Sequence, residues 1–225
     1  MKRPPFFEAI AFDMDGTLID SAPLFKFAAI KAASNLGYSV SEEIFFRWLS
    51  LPPQAIEAVV ISDLGTDFPF DNYRKEMIRI WEYKTESEGI PTKPGIPLLI
   101  KKLQANQVPL VVATATGRKQ AIRSLELSGL SNLTKLLVGG DEVGKSKPEP
   151  DIFLRAASIV GVPPQRCIAV EDSNVGIRAA SDADMLTILV PDLATPDPRT
   201  VETADYVLPT TEKAARVLLR FFGIE

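Results

Sequence analysis

Histidine is absent from this sequence. That excludes histidine general bases, Ser–His triads and most zinc sites. Acid–base work must fall to carboxylates, Lys, Tyr or Cys. Cysteine occurs once, at Cys167, so no internal disulfide can form and a reducing, cytoplasmic setting is expected. Cys167 stands in the apolar run Cys167-Ile168-Ala169-Val170, where a thiol reads as a small buried hydrophobe. No apolar stretch approaches about 18 residues, so no membrane span is expected. The start, Met1-Lys2-Arg3-Pro4-Pro5, carries charge, but Glu8 interrupts the apolar run and no small-residue cleavage site follows, so it does not read as a secretory signal. Positive charge is also in short supply. The net charge is −4 and the sequence pI about 5.1, with no Lys/Arg cluster, so no nucleic-acid partner is expected. An anionic substrate would need local positive charge or a metal to offset this background.

What is present suits an ordinary globular protein. The 225 residues are 46% hydrophobic and 24% charged, enough for one large domain or a core with a small insert. Short apolar runs occur at 9–12, 108–113, 136–138, 167–170 and 186–190, with a weaker one at 206–208. Most are bounded by Gly, Pro or polar residues, as for buried parallel strands. Helical patterns lie between them: 95–103, 120–128 before Gly129, 151–160 before Gly161, a helix capped by Ser173, and 211–222. This alternation predicts an α/β fold with a parallel sheet. Residues 20–90 break it. Asp20-Ser21 with Pro23 opens a helix running to Gly37, Ser41-Glu42-Glu43 opens another, and 72–87 reads as a long amphipathic one. A helical insert over 20–90 is expected, with the α/β core formed by 1–19 and 91–225.

The sharpest motif is Asp13-Met14-Asp15-Gly16-Thr17, directly after the first apolar run. Ligands of open α/β sheets bind beyond the carboxyl ends of the strands. Two carboxylates so close repel each other unless a cation intervenes, and Mg²⁺ favours oxygen ligands and phosphate. Gly16 permits a sharp exit from the strand.

Asp13 to Ser21 resembles motif I of the haloacid dehalogenase-like (HAD) superfamily. The resemblance implies that Asp13 is a nucleophile forming an aspartyl phosphate. It implies that Asp15 is the general acid and base and binds Mg²⁺ through its backbone carbonyl. The second Asp argues against a true dehalogenase. Three further segments match in order. Thr114, in Val111-Val112-Ala113-Thr114-Ala115-Thr116, resembles the motif II hydroxyl that donates to phosphate; alone it is equally a strand residue. Thr116 is either a helper or a cap for the helix near Arg118. Lys147, in Gly144-Lys145-Ser146-Lys147-Pro148-Glu149-Pro150, resembles the motif III lysine, with Lys145 the alternative. Glu171-Asp172-Ser173-Asn174 resembles motif IV, implying Asp172 as a direct Mg²⁺ ligand and Glu171 as a direct or water-mediated one. Locally the same residues suit a helix N-terminus.

The resemblance also implies a Rossmann-like parallel sheet sandwiched by helices, with a small α-helical C1 cap inserted, and is nearest the β-phosphoglucomutase and phosphoglycolate phosphatase branch. The expected activity is Mg²⁺-dependent hydrolysis of a small phosphorylated metabolite, and the expected state a monomer or weak dimer. A phosphomutase is the alternative, but that enzyme uses a cap histidine and a cap arginine. Here Phe25 stands near the first position, and Ser50-Leu51-Pro52-Pro53-Gln54 offers no arginine in the specificity loop. A non-catalytic binding protein on the same fold is a further alternative, disfavoured by the retained Asp13, Asp15 and Asp172. Phe25, Arg47, Trp48, Gln54 and Lys84 could face a substrate. For the aromatics a core position is the better reading, and for the charges a solvated helix face.

Overall fold

The computed structural model describes residues 7–49 and 53–224. The chain divides into two compact units, Met1–Asp20 with Pro91–Glu225, and Ser21–Ile90.

The first unit is built on a six-stranded parallel sheet, β1 (Ala9–Phe12), β2 (Leu110–Ala113), β3 (Leu137–Val138), β4 (Cys167–Glu171), β5 (Leu186–Leu189) and β6 (Tyr206–Val207), in the order β3-β2-β1-β4-β5-β6. All four residues of β1 and all five of β4 are buried, which is why the sequence shows unbroken apolar runs rather than alternation. Ala9, Ala11, Val111, Ala113, Cys167 and Ala169 share a core with Ile152, Phe153 and Ala156. Alternation along the strands turns Ile10, Phe12 and Val112 to the other face, and they are equally buried, so both faces are covered. The predicted strand at 108–113 starts only at Leu110. Gln107 adopts φ 58°, Val108 N–H turns back to Leu103 O, and Pro109 has no N–H to offer.

Between the strands lie helices Ile96–Ala105, Arg118–Leu127, Asp151–Val160, Asn174–Asp182 and Pro198–Thr203, and Thr211–Phe221 follows the last strand. Gly161 ends the third at φ 70°. Ser173 caps the fourth, its Oγ accepting Gly176 N–H at 3.1 Å. The short helix from Pro198 was not expected from the pattern, although Asp197 before Pro198 is a sound start signal and its carboxylate accepts Thr200 N–H at 2.7 Å.

The second unit is helical: Ala22–Asn35, Glu42–Leu49, Pro53–Leu64 and Phe70–Glu88. The first and last pack along each other. Its core is aromatic, with Phe45, Trp48, Phe68 and Tyr73 buried among Ala28, Ala32 and Val60. Residues 50–52 of the expected specificity loop lie outside the described residues, and a helix starts at Pro53. Among the described residues, no helix is long and apolar enough to cross a membrane.

Candidate active site

Strand order reverses at β1, whose neighbours are β2 on one side and β4 on the other. Such a switch point opens a crevice at the carboxyl ends of the strands. Register sets what meets there. Phe12 pairs with Val112 and with Val170. Asp13, the next residue, donates its N–H to Val170 O at 2.9 Å and lies level with Ala113 and Glu171.

The Lys147 side chain is buried at the centre of this edge. Its ammonium lies 2.5 Å from Asp13 Oδ1, 2.5 Å from Glu171 Oε1 and 3.0 Å from Ala113 O, and 5.1 Å from the centre of the Phe153 ring. Three donors thus meet three acceptors at the ends of three strands. Lys145 is elsewhere, exposed and 3.8 Å from Glu149.

Glu171 is fully buried at the end of β4. Its Oε1 accepts from Lys147, and its Oε2 accepts from Asp172 N–H at 3.1 Å, Ser173 N–H at 3.1 Å and Ser173 Oγ at 2.9 Å. A Cβ on Gly176 would occupy the same space as this carboxylate, which explains a glycine in the first turn of that helix. Asp13, Glu171 and Asp172 offer oxygens within 4.8 Å of one another. Gly16 turns the chain at φ 84°, and a Cβ there would collide with the Asp172 carboxylate.

Thr114 is buried at the end of β2, its N–H donating to Val138 O at 3.1 Å. Its Oγ accepts from Thr116 N–H at 3.1 Å, which leaves its own proton to be donated. Thr116 Oγ donates to Asp15 Oδ2 at 2.9 Å.

Electrostatics follow from this crowding. Burial, with help from Glu171 and Asp15, pushes the Asp13 carboxyl up to about 8 against the pull of Lys147. Burial, then Glu171, Asp13 and Asp192, hold Asp172 well above the carboxylate range. Burial alone would lower Lys147, but Asp13 and Glu171 outweigh it and hold the ammonium above its ordinary value. Three carboxylates against one ammonium leave two negative charges if all ionise. The donor set is all oxygen and largely buried, so these residues fit a hard divalent cation.

Two contributors were not among the residues expected from the sequence. Asp192, beyond β5, lies against Gly16 and raises Asp172. Lys93 bridges Asp192 at 2.6 Å and Asp20 at 3.2 Å. Asp192 does follow a strand end, the position that marked the other acidic residues.

The substrate-facing candidates of the helical unit have partners within it. Trp48 is buried and its Nε1 donates to Asp63 at 2.6 Å, while Arg47 also pairs with Asp63. Phe25 packs on Phe45 and Trp81 at 6.0 and 6.1 Å. Lys84 pairs with Glu88 at 2.7 Å and lies over the Phe27 ring. The Gln54 side chain lies outside the described residues.

Residues 10–190 match the family described as haloacid dehalogenase-like hydrolase. A phosphorylated carbohydrates phosphatase of Thermotoga maritima is 29% identical over 178 residues, 78% of this chain and 81% of that protein. The crystal structure of a Thermotoga maritima protein provisionally assigned as a beta-phosphoglucomutase superposes with TM-score 0.82 at 25% identity, over 95% of this chain and 99% of the other. CbbY from Rhodobacter sphaeroides, solved with xylulose-(1,5)bisphosphate, gives TM-score 0.77 at 25% identity, over 92% and 96% of the two chains. The chain belongs to the haloacid dehalogenase-like hydrolase family.

Proposed function

We propose that this protein is a phosphoric monoester hydrolase of small phosphorylated metabolites, of the sugar phosphate, phosphoglycolate or nucleotide class, working through an aspartyl phosphate on Asp13. One observation carries the reading. A buried ammonium bridges Asp13 and Glu171 beside Asp172 at the switch point of the sheet. Lys147 holds Asp13 Oδ1, so the carboxylate is oriented for attack and the ammonium stands where phosphoryl charge accumulates. Thr114 donates its hydroxyl proton to a phosphoryl oxygen.

In the first step a bond forms between Asp13 and phosphorus as the bond to the leaving oxygen breaks, and Asp15 gives that oxygen its proton. In the second, Asp15 takes a proton from water, whose oxygen bonds to phosphorus as the bond to Asp13 breaks. Asp13, Asp172 and the backbone carbonyl of Asp15 would hold Mg²⁺, which when bound polarises the phosphoryl group and offsets its charge. Glu171 stands within reach of the same ion, but its four accepted hydrogen bonds commit it to orienting Lys147 and the 171–173 turn. Residues 21–90 serve as the cap that selects the leaving group. Hydrolysis rather than return of the phosphoryl group to substrate follows from the lack of any histidine to stand in for the mutase's cap group.

The test is a screen of phosphorylated metabolites with and without Mg²⁺, with Asp13→Asn as control. Turnover should vanish in the variant and on chelation. Turnover that survives both removes the mechanism. Incubation with a hexose 1-phosphate should release inorganic phosphate and no hexose 6-phosphate.

A further inference from the structure

Thr116 has a use that neither a helix cap nor a second phosphate hydroxyl describes. The helix that follows starts at Arg118, and Arg118 N–H is taken by Asp141 Oδ1 at 2.7 Å, so the capping task is done from another loop. Thr116 itself is held at both backbone groups. Its N–H donates to Thr114 Oγ at 3.1 Å and its C=O accepts Gly140 N–H at 3.1 Å. Gly140 and Gly139 make this close approach possible, since a Cβ on either would strike the backbone of Ala115 or Arg118. A side chain on so constrained a backbone is placed before any ligand arrives. Its hydroxyl donates to Asp15 Oδ2 at 2.9 Å, across 101 residues of sequence.

We infer that Thr116 is a positioning residue for Asp15, fixing the plane of the carboxyl that protonates the leaving oxygen. The inference rests on Asp15 being that acid. An aspartyl carboxyl swings about two torsions, and the outer one is broad. Misplacing a reacting group by about 1 Å costs on the order of a hundredfold in rate. The loss must depend on the leaving group. A good leaving group departs as an anion and needs no proton, whereas a poor one does.

The experiment compares kcat/KM, which reports on departure of the alcohol, for phenyl phosphate and p-nitrophenyl phosphate in Mg²⁺. The two have similar size, so binding differences largely cancel. Thr116→Val should lose about 10–100-fold on phenyl phosphate and about threefold or less on p-nitrophenyl phosphate. Thr116→Ser should return both to within about threefold of the parent, because it restores the donor. Thr116→Ala carries the same comparison should the valine variant not fold. Asp15→Asn is measured beside them. If it shows no leaving-group dependence, Asp15 is not the acid and the proposed function itself is at fault. If it shows that dependence while the Thr116 variants lose equally on both esters, or lose nothing, Thr116 does not position Asp15.

Discussion

Replacing Glu171 by Gln removes one charge and keeps the shape, and the geometry says what should happen. Oε1 accepts from the Lys147 ammonium, and Oε2 accepts two backbone N–H groups and the Ser173 hydroxyl. A glutamine has one acceptor oxygen and one NH₂. If the NH₂ faces the turn, the Asp172 and Ser173 N–H groups lose their acceptor, at about 1–3 kcal/mol each when buried. If it faces Lys147, donor meets donor, and removing one partner of a buried ion pair costs about 3–5 kcal/mol. Relief of repulsion on Asp13 and Asp172, both raised by Glu171, offsets part of this. A net loss of about 2–4 kcal/mol is expected at pH 7 in chelator. Urea unfolding should be followed by far-UV circular dichroism, because Trp48 and Trp81 both belong to the helical unit and their fluorescence reads that unit alone. A second measurement separates acceptor from ligand. Saturating Mg²⁺ at about a hundred times its Kd stabilises the parent by about 2.7 kcal/mol. The variant should keep that increment to within about 1 kcal/mol if Glu171 only orients its neighbours. A variant as stable as the parent in chelator would refute the hydrogen-bond argument, and loss of the increment would show Glu171 to be a direct ligand.

Gly176→Ala should cost about 2–4 kcal/mol in the same unfolding assay, because the new Cβ displaces the Glu171 carboxylate; that sign is opposite to the gain of up to about 1 kcal/mol that Ala brings to an exposed helix interior. Burial raises Tyr73 from 10.0 to about 12, so its contribution is intact below pH 10 and is lost as pH rises towards 12. Tyr73→Phe should therefore lose about 2 kcal/mol less than the parent between pH 9 and pH 12, read from urea midpoints by tryptophan fluorescence. Cys167 is buried and its thiol is pushed up to about 11, by burial first and then by Glu8. It should resist an aromatic disulfide reagent at pH 8 in the native protein and react at once in denaturant; rapid native reaction would mean that β4 opens locally.

Much of the fold could be read from the sequence because parallel strands announce themselves as short apolar runs, and the residues with chemistry follow those runs at once. Asp13 follows β1, Thr114 follows β2, and Glu171 ends β4. Helix starts at Ser41 and Ser173 were visible for the same local reason. What stayed hidden was whatever depends on register between strands far apart in sequence. Nothing near Lys93 hints at Asp192, 99 residues on. Trp48 on an amphipathic helix reads the same whether it faces a core or a substrate; Asp63, 15 residues away, satisfies its indole N–H. Glu171 and Asp172 are both acidic at a helix start. Only the approach of Lys147 from a separate loop tells them apart, since its ammonium bonds Glu171.

One short motif places two carboxylates in different surroundings. Asp13 and Asp15 are chemically identical in sequence, and their separation follows from the strands beside β1. Asp13 looks to the β4 side, where Lys147, itself held by Glu171, binds one of its oxygens in a buried pocket. Asp15 looks to the loop after β2, where the Thr116 hydroxyl holds it. A carboxylate fixed beside an ammonium suits attack on phosphorus, and one held by a neutral hydroxyl suits proton transfer, since environment rather than residue type assigns such roles. Both environments come from the reversal of strand order at β1, which puts β2 and β4 on its two sides. Without that reversal one of the two would lack its partner.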